Sequence, residues 1–85
     1  NIEKIPTKEE ITNFIESFEI KESSEEAFYR YLEQKNYSEM LKSVLFLNKK
    51  NHKKIKYFFE LTSKTALENN NTDFAWKTIL YSSHL

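Results

Sequence analysis

The chain contains no glycine and no cysteine, and only one proline, one arginine and one aspartate. The missing glycine excludes the dinucleotide-binding fingerprint and the phosphate-cradling loop, both of which need glycine backbone at fixed positions. It also argues against tight β-hairpins, whose turns need positive φ. The missing cysteine excludes disulfides, thiolate zinc sites and cysteine nucleophiles. No apolar run approaches the roughly 20 residues of a membrane span. What is present fits one small folded domain: 85 residues, 39% hydrophobic, 31% charged and 15% aromatic. That aromatic content supplies the burial that disordered chains lack. A single α-helical domain over residues 1–85 is expected, either whole or as a piece or processed form of a longer protein, since it opens at Asn1.

Charge is balanced overall but not along the chain. Residues 1–33 hold nine Glu against three Lys and one Arg, net −5, whereas residues 34–85 hold nine Lys against three Glu and one Asp, net +5. The steepest feature is Lys49, Lys50, Lys53, Lys54 and Lys56, with His52 among them. A net-neutral domain lacks the overall basic field typical of nucleic-acid binders. The cluster has two readings: a contact for phosphate or an acidic partner surface, or a solvated helix junction paired with the acidic first part of the chain.

Helix signals recur along the sequence. Thr7-x-x-Glu10 after Pro6 reads as a capping box, followed by Ile11, Phe14, Ile15 and Phe18 on one face of a helix over residues 8–19. Ser23-x-x-Glu26 reads as a second capping box, opening a helix with Ala27, Phe28, Tyr31 and Leu32 inward and ending near Lys35. Asn36 caps a third helix carrying Tyr37, Met40, Leu41, Val44, Leu45 and Leu47, a stripe wide enough to be the most buried. A fourth helix is expected over residues 52–68, with Ile55, Phe58, Phe59, Thr62 and Ala66 inward. The run Asn69-Asn70-Asn71 favours a turn. A fifth helix then starts at Thr72 and turns Phe74 or Ala75, Trp76, Ile79 and Leu80 to the core, with Ser83 at the end of the same stripe. The fold class is therefore all-α: about five short antiparallel helices in a helical-hairpin repeat or small bundle.

An internal echo accompanies these helices. Residues 36–46 (NYSEMLKSVLF) and 71–81 (NTDFAWKTILY) align at an offset of 35, matching Asn36 with Asn71, Lys42 with Lys77, Val44 with Ile79 and Leu45 with Leu80. The segments around Tyr31–Leu45 and Asn70–Leu80 resemble the helix-turn-helix junctions of tetratricopeptide (TPR) and pentatricopeptide (PPR) repeats, over roughly residues 24–84. The sequence departs from both families in having Lys35 and Asn70 where glycine is favoured, Met40 where a small residue is expected, and no closing proline. The resemblance implies stacked helical hairpins. Its pentatricopeptide form implies RNA reading from positions near Glu26 and Leu61, neither of which is a typical reader, so no RNA-contact residue is assigned.

No catalytic, metal or cofactor site emerges. His52 and His84 form no i, i+4 metal pair, and Glu9-Glu10 and Glu25-Glu26 sit in first helical turns, where acids favour the helix dipole. Trp76, Phe58 and Phe59 are read as core in preference to a base-stacking platform, and Tyr29 and Tyr57 as the more exposed aromatics. The expectation is a non-enzymatic protein-interaction scaffold, contacting an acidic partner through Lys49, Lys50, Lys53, Lys54, Lys56 and Tyr57. Single-stranded RNA binding and a small inhibitor or immunity-type protein are the alternatives. The residues show no secretory or twin-arginine signal, and the expected compartment is intracellular, either the cytoplasm or, with the RNA reading, an organelle.

Overall fold

The computed structural model describes residues 5–85. It holds five helices and, among these residues, no strand: α1 (Lys8–Glu16), α2 (Glu25–Glu33), α3 (Tyr37–Lys49), α4 (Ile55–Glu68) and α5 (Thr72–Ser83). Three residues separate α2 from α3 and α4 from α5, so each pair folds back on itself as a hairpin. Two bonds fix the antiparallel sense of the second pair. Lys56, near the start of α4, donates to the Ser82 carbonyl at the end of α5 (2.7 Å), and Ser63 in mid-α4 donates to the Ala75 carbonyl early in α5 (2.7 Å).

Local signals set most helix ends. The Thr7 amide donates to Glu10 Oε1 (2.9 Å) and the Glu10 amide to Thr7 Oγ1 (3.2 Å), a complete capping box. Asn36 and Asn71 cap α3 and α5 by accepting from the amides of Glu39 (3.3 Å) and Phe74 (3.1 Å). Three boundaries differ from the sequence expectation. Helix α1 stops at Glu16 rather than near residue 19, because the Ser17 hydroxyl donates to the Phe14 carbonyl (2.6 Å) and competes with helix continuation. The cap of α2 is Ser24, which accepts from the Ala27 amide (3.1 Å), while Ser23 donates its hydroxyl to Ser43 (2.7 Å). Helix α4 begins at Ile55 rather than 52, because Asn51 is left-handed (φ 56°) and the Lys54 amide is taken up by His52 Nδ1 (3.1 Å).

The two hairpin turns are copies. Lys35 (φ 58°) and Asn70 (φ 64°) both adopt left-handed backbone, 35 residues apart. The next amide reaches back across each turn, Asn36 to the Tyr31 carbonyl (3.0 Å) and Asn71 to the Ala66 carbonyl (2.9 Å). The capping asparagines share nearly the same backbone angles, φ −90°, ψ 77° and φ −96°, ψ 76°. Each turn is thus a Schellman C-cap running directly into an asparagine N-cap. The two junctions also touch, since Asn71 Nδ2 donates to the Tyr37 hydroxyl (3.3 Å).

Helix α4 joins the hairpins by packing on α2, α3 and α5. Its Phe58 lies 4.4 Å (ring centroids) from Phe28 and meets Tyr29 edge-on at 5.6 Å. Phe28, Phe58, Phe59, Met40, Leu41 and Val44 are fully buried, each large apolar side chain stabilising the fold by roughly 1.5–3 kcal/mol before entropy. Helix α3 is not alone as the most buried element, since α4 is buried comparably along its length. Helix α1 and the turn after it close the other side, with Phe14 5.1 Å and Phe18 6.0 Å from Phe74.

Helix α5 overturns one expectation. Phe74, Ala75, Thr78 and Ser82 form its buried face, and Trp76 and Ile79 lie 39% and 37% exposed. Phe74 and Thr78 stack one turn apart and occupy the inward face, which turns Trp76, two residues on from Phe74, roughly 200° away.

A left-handed lysine costs about 1–2 kcal/mol that glycine does not incur, partly offset by glycine's larger entropy loss on folding. Lys35→Gly is therefore expected to raise the thermal unfolding midpoint by a few degrees, roughly 2–6 °C. Asn70→Gly is expected to gain less, because asparagine tolerates this backbone region better than lysine. Thermal melts followed by circular dichroism check both.

Candidate functional site

The lysine segment spans the junction from α3 into α4, and the structure divides its members by task. Lys49 ends α3, where a cation suits the negative end of the helix dipole. Lys50 caps that helix and lies 5.6 Å over the Phe46 ring. Lys53 stands exposed in the turn, and neither Lys49 nor Lys53 makes a hydrogen bond or ion pair with the described residues. Tyr57, 51% exposed, lies beside this junction with its ring 6.1 Å from Phe58.

The other two lysines are exposed as well, but each is bonded across the fold. Lys56 is held by the Ser82 carbonyl, so it fastens the start of α4 to the end of α5. Lys54 Nζ donates to Glu25 Oε2 (3.2 Å) while His52 Nε2 lies 3.0 Å from Glu25 Oε1. Because the Lys54 amide donates to His52 Nδ1, the neutral imidazole carries its proton on Nε2 and donates to the carboxylate. The imidazole also lies 5.3 Å from the Phe58 ring. Glu25 thus ties the first turn of α2 to the entry of α4, joining the acidic part of the chain to the basic part. The hydrogen bond from Lys54 holds the Glu25 carboxyl below its ordinary 4.5, with His52 adding to the effect against partial burial. The same bond raises the Lys54 ammonium above its ordinary 10.5.

One local rule is broken here. Helix α4 opens with no side-chain cap and no acid in its first turn, and Lys53, Lys54 and Lys56 crowd its positive end. The other four helices each carry a side-chain cap and an acid in the first turn. Like charge at this end of a helix is destabilising by a few tenths to about 1 kcal/mol per group. Glu25 relieves Lys54 from across the fold, and Lys53 keeps its full repulsion.

A second feature was not read from the sequence. Ser63, Leu67, Thr72, Ala75, Trp76 and Ile79 line a groove of about 290 Å³ between α4 and α5. Leu67 is 56% exposed at its rim. The signal was the very stripe assigned to the core of α5, displaced by the rotation described above. Phe58 and Phe59, weighed with Trp76 as a stacking platform, are fully buried and present no face to a base, and Tyr29 is half-buried against Phe58.

The paired acids have structural tasks: Glu10 caps α1, Glu25 joins the lysine junction and Glu26 lies 3.5 Å from Arg30. Among the described residues no group of three or more His, Asp or Glu is placed to hold a metal ion, and no helix is long and apolar enough to cross a membrane. Compared with known proteins, the chain matches no family model, no curated protein and no solved structure.

A carboxyl whose pKa is lowered on folding contributes stability that is present above its ordinary value and lost as pH falls through the folded one. Glu25→Gln is therefore expected to lower the melting temperature at neutral pH, and the difference from the parent chain to shrink as the pH falls below the ordinary carboxyl range and Glu25 takes up its proton. Because Glu25 is partly exposed, added salt is expected to narrow the neutral-pH difference. Melting curves of both chains across pH and salt check this.

Proposed function

We propose that this chain is a non-enzymatic protein-interaction module of stacked helical hairpins that meets an acidic partner surface through the α3–α4 junction. The observation that carries the reading is the positive charge at the start of α4, of which Glu25 offsets only the part on Lys54. Every other helix is capped and acid-balanced, so the exception marks a place where local stability is given up. A carboxylate-rich partner relieves that repulsion on binding, drawn by Lys49, Lys50 and Lys53 together with the positive end of α4. The half-exposed Tyr57 supplies an apolar contact with a polar tip beside them. Lys54 and Lys56 brace the junction instead, since their ammonium groups are already bonded to Glu25 and the Ser82 carbonyl. Complementary charge of this kind sets encounter rate and orientation more than final affinity.

The test is a triple reversal, Lys49→Glu, Lys50→Glu and Lys53→Glu, with circular dichroism confirming the fold. Exposed pairs contribute about 0.2–1 kcal/mol each, so capture of partner proteins is expected to weaken by about tenfold, mostly through slower association. Unchanged capture of every partner contradicts the reading. Salt-steep binding of single-stranded RNA that the reversal abolishes replaces it with the nucleic-acid alternative.

A further inference from the structure

The 35-residue echo assigns a role to the α4–α5 groove. At that offset Ser63, Ala75, Trp76 and Ile79 correspond to Phe28, Met40, Leu41 and Val44 of the first hairpin, and Leu67 and Thr72 correspond to Leu32 and Tyr37. In the first hairpin Phe28, Met40, Leu41 and Val44 are fully buried. The element packed across that hairpin is α4, whose Phe58 sits on Phe28 at 4.4 Å. The groove is therefore the second hairpin's version of a surface that, on the first, receives an amphipathic helix.

The two ends of the stack are finished differently. Ser23, Ser24 and Ala27 correspond at the same offset to Phe58, Phe59 and Thr62, the α4 residues on its buried face. This end of the first hairpin is lined by Glu22, Ser23, Ser24, Ala27 and Lys50, with the Tyr31 and Phe46 rings among them. The far end instead leaves Leu67, Trp76 and Ile79 exposed together around one hollow. Charged and hydroxyl groups thus surround the two rings at the first end, whereas no charged group lines the far hollow.

We propose that the α4–α5 groove docks an amphipathic α-helix of a partner protein, seated as α4 sits on the first hairpin. The helix presents bulky apolar residues at i, i+3 and i+4, as α4 presents Ile55, Phe58 and Phe59. Small residues at Ser63 and Ala75, where the first hairpin has Phe28 and Met40, deepen the hollow to take an aromatic or leucine anchor. A second copy of this chain fits less well, because its own helices spend their apolar stripes on its core. The inference rests on the protein-interaction reading but uses a surface separate from the lysine junction.

Trp76 is the one tryptophan of the chain, so its fluorescence reports the groove directly. The probe is a synthetic peptide of residues 51–70, which carries the α4 register and no tryptophan. The control is the same peptide with Ile55→Ser and Phe58→Ser. The parent peptide is expected to give a saturable blue shift of Trp76 emission, and the control none. Leu67→Glu in the folded chain, a change at an exposed rim position, is expected to weaken binding by about tenfold or more. The triple lysine reversal is expected to leave the shift in place, so failure here is separable from failure of the lysine surface. No saturable shift, an equal shift with the control peptide, or a shift driven by chain concentration alone with a dimer in sedimentation would each overturn the proposal.

Discussion

The seating of Phe58 against Phe28 is the contact on which the rest of the molecule depends. The first hairpin does not bury its apolar face alone, and α4, itself half of the second hairpin, is the element that covers it. One side of α4 closes on α5, and Phe58 carries the other side onto α2 and α3. The ring is enclosed by Phe28, Tyr29 and the His52 imidazole. Through His52 the same contact reaches Glu25 and Lys54, so the ion-paired junction and the aromatic core are held by one arrangement. An ion pair this exposed contributes little by itself.

The repeated turn is a way of building this without glycine. Left-handed residues are needed at the end of α2, α3 and α4, and the chain uses Lys35, Asn51 and Asn70 for them. Asparagine tolerates this backbone region better than most residues, and lysine has no such advantage. The compensation lies in the bonds each turn closes, with a backbone amide reaching back across the helix end and, at the hairpin turns, an asparagine starting the next helix. The echo extends to Ser43 and Thr78, both buried at equivalent positions. Ser43 accepts from Ser23, whereas the Thr78 hydroxyl has no partner among the described residues.

Much of the fold was legible in the sequence because its signals are local. Capping at Thr7, Asn36 and Asn71 depends on residues three apart, and the stripes of α2 and α3 on the helical period. What failed depended on tertiary context. Ser23 and Ser24 are equally good caps in isolation, and the choice was made by Ser43, twenty residues away, which engages Ser23. The apolar residues of α5 are spread round the helix among Asp73, Lys77 and four serine and threonine residues, so its sequence left the inward face undetermined. The packing of Phe74 against Phe14, Phe18 and Tyr37 decided it and moved Trp76 outward. The lysine segment was visible as composition, but which of its members are bonded across the fold depends on Glu25 and Ser82, both more than twenty residues away. The groove could be found only once the rotation of α5 was known.

The central claim is that α4 makes the two hairpins one cooperative unit through Phe58. Urea unfolding of Phe58→Ala, followed by both far-ultraviolet circular dichroism and Trp76 fluorescence, tests it most directly. The account predicts coincident transitions in the parent chain and a loss of about 3–5 kcal/mol in the variant. A loss below about 1 kcal/mol, or a parent chain whose Trp76 signal changes at a different urea concentration from its helicity, would contradict it.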